Sequence, residues 1–234
     1  FNVHFGGIEG RHRVSPYGLE SVLEKLTLEQ SPTVTALQEM IVPVNKESRM
    51  WPQAQLVETT ILGQPCWFLA QHRCRSLPKG GGIPAWRGIA FKTSLPVVAA
   101  NSVWLPAIGE SCSAAKFRVL YEGREVDIFA VHHSSRVNKL AGLRQARAVF
   151  AQVDASVPTI IVGDHNFWGP PLILAAPRCQ HWGRAVIGKT WPAWKPHSQI
   201  DHIFVSPHWK VSVGHVLPKT PSDHLPVTAT MELR

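Results

Sequence analysis

Three acidic residues stand nearly alone in the last third of the chain, each in a setting that could support chemistry. From Ala155 to Met231 the acidic residues are Asp164, Asp201 and Asp223, in the segments IIVGDHN, QIDHIFVS and SDHLPV. Each carboxylate adjoins an apolar run and is followed directly by a histidine. Burying an unpaired carboxylate costs several kcal/mol, so acids at the ends of apolar runs are expected to meet partners there. Their positions predict a functional site.

Hydrolysis of a phosphate ester needs residues of these types. The reaction requires a cation against the phosphoryl oxygens, a group that orients water, and stabilisation of the leaving oxygen. Magnesium binds through one or two carboxylates plus water rather than through a complete protein cage. The sequence offers carboxylates at four predicted strand ends with amides and an imidazole beside them: Glu39, Asp164, Asp201, Asp223, Asn2, Asn166 and His224. These residues predict a metal-dependent enzyme that acts on a phosphate ester.

Short strands and two helices are expected to position these groups. Ser15-Pro16 is typical of a helix start, and an apolar stripe follows it at helical spacing: Leu19, Val22, Leu23 and Leu26. A second helix is predicted over residues 139–153. Period-two or apolar runs predict strands over residues 34–38, 55–61, 66–70, 88–92, 97–100, 116–121, 125–132, 159–162, 200–205, 211–216 and 227–233.

Length, charge and cysteine content limit the class of protein. A chain of 234 residues fits one domain, residues 1–234. Because Phe1 lies inside a strand pattern, we expect a lead-in upstream of it. The net charge of +8 favours a polyanionic partner, nucleic acid or an anionic lipid surface, with a charge that serves only solubility as the alternative. Cys66 and Cys74 could pair or remain thiols, and the cysteine spacing does not fit a zinc finger.

The ordered motifs NVHFG, LQE, RGIAF, VHH, GDHN, IDHIF and SDHLP resemble those of the endonuclease/exonuclease/phosphatase superfamily, which has the DNase I-like fold. The resemblance runs from Asn2 to the carboxyl end. It implies an α+β fold, a four-layer α/β/β/α sandwich in which two mixed β-sheets pack face to face with helices outside. It also implies a hydrolase in which a metal-positioned water attacks phosphorus in a single step.

The resemblance assigns metal-binding roles to residues of three motifs. Glu39 of LQE matches the principal Mg²⁺ ligand, with Mn²⁺ as a possible substitute. Asp223 of SDHLP matches a metal-associated carboxylate. Asn2 of NVHFG matches the asparagine that helps to order the metal site.

The same resemblance assigns catalytic roles. Asp164 matches the aspartate that orients or deprotonates the attacking water, and Asn166 matches a companion that hydrogen-bonds the phosphate. His132 matches a histidine that contacts the phosphate or assists the leaving group, although the sequence offers no identifiable acidic partner for it. Asp201 matches the aspartate that holds the last histidine or assists metal binding. His224 matches the histidine that stabilises the pentacovalent phosphate.

Three further histidines directly follow these motif residues. His165 stands where the family usually has an apolar side chain, and strand alternation turns it away from its neighbours, so we expect a packing role, with an added metal ligand as the alternative. His202 is expected in the core. His133 is expected to face outward.

Basic and aromatic loops indicate where a substrate could bind. The candidate contacts are Arg73, Arg75, Lys79, Arg87, Arg178, Arg184, Lys189 and Lys195. With the positive net charge they favour a nucleic acid phosphodiester, and therefore a nuclease. The same residues suit a lipid head group, so a sphingomyelinase-like phosphodiesterase or a phosphoinositide phosphatase is the alternative. A binding module that has lost catalysis would lack site residues that this chain retains. No protein partner is evident, and we expect a monomer.

Overall fold

The computed structural model describes residues 2–4, 8–9, 13–14, 32–46, 48–61, 64–74, 84–106, 113–134, 139–167, 181–218 and 220–234. The first predicted helix lies outside the described residues. So do three of the candidate substrate contacts, Arg75, Lys79 and Arg178. No helix within the described ranges is long and apolar enough to cross a membrane.

The described residues form fourteen strands and one α-helix. The helix, α1, spans Lys139–Phe150, and a 3₁₀ turn spans Ser48–Met50. The strands are, in chain order, β1 (Ile8–Glu9), β2 (Arg13–Val14), β3 (Val34–Pro43), β4 (Gln55–Ile61), β5 (Gln64–Cys74), β6 (Ala85–Thr93), β7 (Val97–Trp104), β8 (Ser113–Tyr121), β9 (Arg124–His132), β10 (Thr159–Asp164), β11 (Gly183–Arg184), β12 (Asp201–Val205), β13 (Trp209–Val216) and β14 (Val227–Leu233).

Two main sheets carry the fold. The larger has six strands in the order β11-β12-β10-β9-β8-β7, and the smaller has four in the order β3-β6-β5-β4. The six-stranded sheet is mixed, because β10 runs parallel to β9 and antiparallel to β12. The four strands of the smaller sheet pair antiparallel with one another, and Asn2 adds a parallel bridge to Gln38 of β3. The prediction that both sheets are mixed is therefore consistent with the smaller sheet, in which β3 pairs antiparallel with β6 and has a parallel bridge to Asn2.

The main core lies between the two sheets. Phe91 of the smaller sheet stacks on Phe117 of the larger one, with ring centroids 3.8 Å apart, in a cluster that draws buried residues from both sheets. The helix α1 packs its residues Ala146 and Val149 against Phe129 and the other apolar side chains on the opposite face of the larger sheet. The order of layers is thus helix, six-stranded sheet, four-stranded sheet. A helix layer on the fourth side stays a prediction.

The strand β3 is longer than the sequence pattern indicated. Its predicted end was at Gln38, with Glu39 just beyond, but the strand continues to Pro43. The pairing of β3 with β6 shifts register between Leu37 and Met40, which marks a β-bulge. A bulge bends a strand and re-aims a side chain without ending the pairing, so Glu39 lies inside the strand and not at its end.

Candidate active site and metal centre

Strand register brings three of the predicted residues into one row. Asp164, the last residue of β10, pairs with His132, the last residue of β9, and also with Asp201, the first residue of β12. The preceding glycine permits this close pairing. Gly163 has φ +146°, and a side chain there would collide with the carbonyl of Val131, so the Gly-Asp order of the GDHN motif has a steric reason.

Asp164 is held from both oxygens. Its Oδ1 accepts the backbone N–H of Asn166 at 2.8 Å, which closes a tight turn directly after β10. Its Oδ2 accepts the side-chain amide of Asn2 at 3.0 Å. The Asn166 side chain in turn donates to the carbonyl oxygen of His133 at 2.8 Å. Burial of the carboxyl, reinforced by the charge of Asp201, raises the pKa of Asp164 against the opposing pull of His224 and His132.

Asn2 joins the two sheets and the carboxyl-terminal segment. It forms a parallel bridge with Gln38 of β3, and the N–H of Val3 donates to the carbonyl of Gln38 at 2.9 Å. The hydroxyl of Ser222 donates to the Asn2 carbonyl at 2.7 Å. One buried asparagine therefore fixes the spacing between Asp164, the strand that carries Glu39, and the SDHLP motif.

His224 and Asp201 form the shortest contact between charged side chains at the site. The Nδ1 of His224 lies 2.9 Å from Oδ2 of Asp201, and its Nε2 lies 3.8 Å from Oδ2 of Asp164. Burial lowers the pKa of His224, but the surrounding carboxylates, Asp201 first, outweigh burial and raise that pKa to about 9. Burial raises the pKa of Asp201, but the charge and hydrogen bond of His224 outweigh burial and lower that pKa below its usual value. The imidazole is thus protonated at neutral pH.

Asp223 lies beside an imidazole that the sequence interpretation did not use. Its Oδ1 is 3.1 Å from Nδ1 of His4, and its Oδ2 accepts the indole N–H of Trp191 at 3.3 Å. Burial raises the pKa of Asp223, but the hydrogen bond from His4 and the charges of His224 and His4 bring it below its usual value. The pKa of His4 is raised in turn, because Asp223 outweighs the effect of burial.

Glu39 faces the same space from the bulge in β3. Its Oε1 lies 3.6 Å from Nε2 of His132, and its Oε2 lies 4.0 Å from Nδ1 of His4. The same nitrogen of His132 lies 3.8 Å from Oδ2 of Asp164. His132 therefore has two acidic neighbours, neither of which could be identified from the sequence because both come from other strands.

Three residues of the site have backbones in the left-handed region. The φ angles are 42° at His4, 60° at Glu39 and 49° at Asn166. Non-glycine residues adopt this region at a cost, although asparagine tolerates it better than most. Such conformations persist where the surroundings over-determine them, and they cluster at functional sites. The backbone thus turns these three side chains inward.

A metal ion could be held by this cluster in two ways. One ligand atom each from Asp164, Asp201 and His224 lies within 4.8 Å of the others, a spacing that can hold a metal. The second group is the pair of carboxylates Glu39 and Asp223, which His4 links. The Oε2 atom of Glu39 is buried and accepts no hydrogen bond from the described part of the chain, and a buried polar atom in that condition is explained by an ion or a water.

A layer of buried histidines lies next to the catalytic row. His133, His165 and His202 directly follow His132, Asp164 and Asp201 in the sequence, and their side chains are at most 1% exposed. Ring centroids are 4.9 Å apart for His133 and His165 and 5.5 Å apart for His165 and His202. His202 is in the core as predicted, and His165 packs between rings. The prediction for His133 was wrong: it is buried, because the turn after β9 packs beneath the turn after β10.

Among the candidate substrate contacts, five fall within the described residues. Lys189 and Lys195 are exposed and flank Trp191, the indole of which contacts Asp223. Arg184 is partly buried on β11. Arg73 lies over the Trp86 ring at 6.0 Å, and Arg87 pairs in register with Ile41, two residues beyond Glu39. Lys189 and Lys195 therefore lie within four residues of a side chain that contacts the site, and their role in substrate binding stays a prediction.

Comparison with known proteins gives the family. The model of the endonuclease/exonuclease/phosphatase family matches residues 1–224. The chain belongs to the endonuclease/exonuclease/phosphatase family. The resemblance found in the motifs is thereby confirmed, and the protein is a phosphoester hydrolase of that family with a buried cluster able to hold a metal. None of the curated proteins matches the chain.

Solved structures at 14% to 20% sequence identity share the fold. A protein of this family from Beutenbergia cavernae is 20% identical, with a TM-score of 0.72 over 99% of this chain and 70% of its own. The mannosyl-6-phosphatase Bt3783 of Bacteroides thetaiotaomicron is 18% identical, with a TM-score of 0.62 over 91% of this chain and 90% of its own. TDP2 of D. rerio, crystallised with a single-strand DNA product, is 14% identical, with a TM-score of 0.59 over 91% of this chain and 90% of its own.

The sequence interpretation missed His4, Trp191 and Ser222 as members of this site. His4 lies two residues after Asn2 in NVHFG, and Ser222 directly precedes Asp223 in SDHLP, so motif position could have indicated both. Trp191 lies in an irregular loop with no local pattern. Its contact with Asp223 depends on how that loop folds back, which no short-range spacing encodes.

Proposed function

We propose that this protein hydrolyses a phosphodiester by attack of a metal-positioned water, and that its substrate is nucleic acid. The observation that carries the proposal is the convergence of carboxylates from distant parts of the chain. Asp164 and Asp223 lie beside the protonated imidazole of His224, and Glu39 joins the cluster through His132 and His4. A general base, an acid and a pair of cation ligands within one cluster are the parts that phosphoester hydrolysis requires.

The residues present fit a divalent cation of the hard type, and we assign it to Glu39 and Asp223. Mg²⁺ takes one or two carboxylates plus water, and Glu39 provides a buried oxygen that no described residue hydrogen-bonds. The alternative group of Asp164, Asp201 and His224 is less suitable. His224 gives Nδ1 to Asp201 and carries a proton at neutral pH, and an imidazolium has no free lone pair for a metal. A bound cation would neutralise charge on the phosphoryl oxygens.

Asp164 is proposed to orient and deprotonate the attacking water. Its position is fixed by Asn2 and by the backbone of Asn166, which limits the motion that would misplace the water. A general base works best when its pKa approaches the operating pH. Burial moves the pKa of Asp164 upward, which strengthens it as a base.

His224 is proposed to stabilise charge that develops on the phosphoryl group. Its protonated ring supplies a charge-assisted hydrogen bond, and Asp201 fixes both its orientation and its proton. His132, which lies between Glu39 and Asp164, is proposed to contact the phosphate or the leaving oxygen. Asn166 is proposed to contact the phosphate from the turn after β10.

Charge and loop chemistry support nucleic acid as the substrate class. The chain carries a net charge of +8, and salt-dependent attraction to phosphates follows from such an excess. The loop that contacts Asp223 through Trp191 presents the exposed side chains Lys189, Trp194 and Lys195. An exposed indole can stack on a base irrespective of sequence. TDP2 of D. rerio, a structural relative, was crystallised with a DNA product.

A substrate panel tests this proposal. Plasmid and single-stranded oligonucleotide, a sugar phosphate, phosphoinositide vesicles and sphingomyelin vesicles are each incubated with the protein, with Mg²⁺, with Mn²⁺ and with EDTA. We expect cleavage of nucleic acid that requires a divalent cation. Faster release of phosphate from the sugar or of a head group from the vesicles would instead assign a phosphatase or a lipid phosphodiesterase. Turnover that persists in EDTA would refute the metal role.

A further inference from the structure

One buried threonine contacts both of the segments that supply the Asp201–His224 pair. Thr190 lies in the loop between β11 and β12 and is fully buried. Its hydroxyl oxygen accepts the backbone N–H of Asp201 at 3.3 Å and that of Ile200 at 3.2 Å. Its carbonyl oxygen accepts the N–H of Leu225, the residue directly after His224, at 2.8 Å. Thr190 is therefore bonded to Asp201 itself and to the neighbour of His224.

Further backbone contacts hold the loop around Thr190 in this place. The N–H of Thr190 donates to the carbonyl of Ser198 at 2.8 Å, on the opposite side of the loop. The N–H of Ala193 donates to the carbonyl of Asp223 at 2.7 Å. The segment from Thr190 to Ala193 thus runs beside the residues on both sides of His224 and ties them to the start of β12.

The hydrogen bond between His224 and Asp201 depends on how two separate segments are placed. The two residues are 23 positions apart in the chain, and Nδ1 of His224 lies 2.9 Å from Oδ2 of Asp201. A hydrogen bond keeps its strength only within a narrow range of distance and angle. The orientation of the imidazole therefore depends on the relative position of two backbones, and Thr190 bonds to both of them.

We propose that Thr190 is a positioning residue for the proposed hydrolysis, and that its hydroxyl holds the backbone of Asp201 so that the carboxylate meets and orients the imidazole of His224. The inference rests on the proposed function, in which His224 stabilises charge on the phosphoryl group. A group that acts in the transition state affects kcat more than KM. Its misplacement by about 1 Å can cost on the order of a hundredfold in rate.

Thr159 provides a matched control for the loss of a buried hydroxyl. It is also fully buried, and its hydroxyl donates to the carbonyl of Val157 at 2.9 Å, at the start of β10. Valine keeps the shape of threonine and removes the hydroxyl at either position. Thr190→Val leaves the N–H of Asp201 without this acceptor, whereas Thr159→Val affects a carbonyl at the end of β10 opposite the site.

The first measurement is kcat and KM for a single-stranded oligonucleotide with Mg²⁺ in the wild type, Thr190→Val, Thr190→Ser and Thr159→Val. We expect Thr190→Val to lower kcat at least about tenfold while KM changes less than about twofold. Thr190→Ser keeps the hydroxyl and loses a methyl group, so its kcat should stay within about threefold of the wild type. Thr159→Val should leave kcat unchanged.

NMR spectroscopy gives a second readout that needs neither substrate nor turnover. The Nδ1 proton of His224 that donates to Asp201 should resonate far downfield and exchange slowly with water while the hydrogen bond is intact. The signal is assigned by its absence in His224→Ala. We expect it in the wild type, Thr190→Ser and Thr159→Val, and we expect it to shift or to be lost by exchange in Thr190→Val.

The outcomes separate this inference from the proposed function. In an active enzyme, either an unchanged His224 signal or an unchanged kcat in Thr190→Val would overturn the role of Thr190 and leave the proposed function intact. If Thr190→Val does not fold, loss of the signal in Thr190→Ser overturns the role and its retention supports it. Absence of any turnover by the wild type would overturn the proposed function, and the NMR signal would still decide whether Thr190 orients His224.

Discussion

Replacing Asp201 with asparagine tests whether His224 works as an acid. The structure raises the pKa of His224 to about 9 from its ordinary 6.5 because the carboxylates of Asp201 and Asp164 outweigh burial. Asparagine keeps the shape and an acceptor for the Nδ1–H group but removes the charge that contributes most. Burial then dominates, and the pKa of His224 should fall to its ordinary value or below.

The expected magnitude follows from the two protonated fractions. At pH 8 an imidazole of pKa about 9 is about 90% protonated, whereas one of pKa about 6.5 is about 3% protonated. If the protonated form is required, activity of Asp201→Asn at pH 8 should fall about twentyfold beyond any loss seen at pH 6, where an imidazole of pKa about 6.5 is still about 75% protonated. The high-pH limb of the rate profile should move from about pH 9 in the wild type to about pH 6.5 or lower.

The assay is a pH–rate profile together with an NMR titration of the His224 ring in both proteins. Asp154→Asn is the matched control, because Asp154 bonds to Ser156 in an exposed turn away from the cluster. An unchanged high-pH limb, or a ring titration that stays near the wild-type value in Asp201→Asn, would refute the reasoning. The pH dependence of the free energy of unfolding gives a second test of the raised pKa of His224. Since the folded-state pKa of His224 exceeds the unfolded value, this group stabilises the fold below pH 6.5 and loses that contribution as pH rises through about 9.

Three further predictions follow from the structure. Asp164→Asn should lower kcat on the order of a hundredfold or more, as expected for a general base, with thermal melting checking that the fold is retained. His133→Phe should make the protein more resistant to acid: burial lowers the pKa of His133 to about 3 from 6.5, so the wild type loses stability as pH falls below 6.5, which acid titration of circular dichroism would detect. Trp194→Ala should raise KM for an oligonucleotide several-fold with little change in kcat, whereas Trp104→Ala, which removes an equally exposed indole from β7, should change neither.

Local patterns predicted the parts of this fold that depend on local interactions. The strands β4, β9 and β14 match their predicted ranges almost to the residue. Alternation of more and less exposed side chains marks the ends of β4 and β14, and a continuous buried apolar run marks β9. The length of β3 could not be predicted in this way. Its bulge interrupts the alternation of side chains between Leu37 and Met40. In the sequence alone, such an interruption indicates the end of a strand.

In the candidate site too, contacts within one motif could be predicted and contacts between separate strands could not. Residues within a motif, such as Asp164 and Asn166, could be assigned because a tight turn joins them in the sequence itself. The partners of His132 could not, because Glu39 comes from the other sheet and Asp164 from a neighbouring strand. Contacts made by packing of separate elements are set by register and by layer order, which are properties of the whole fold.

The opposing environments of Asp164 and His224 predict the pH range of the reaction. The two side chains lie 3.8 Å apart at their nearest atoms, yet burial raises the pKa of one and carboxylates raise that of the other to about 9. Pairs of titratable groups held in different protonation states identify the base and the acid of a reaction. Activity should therefore be bell-shaped, with its high-pH limb set by His224 and its low-pH limb, above the usual aspartate range, set by Asp164. Asp201→Asn should lower the high-pH limb most and the low-pH limb less, because the charge of Asp201 also contributes to the raised pKa of Asp164. A high-pH limb that stays in place would show that the assignment of the acid to His224 is wrong.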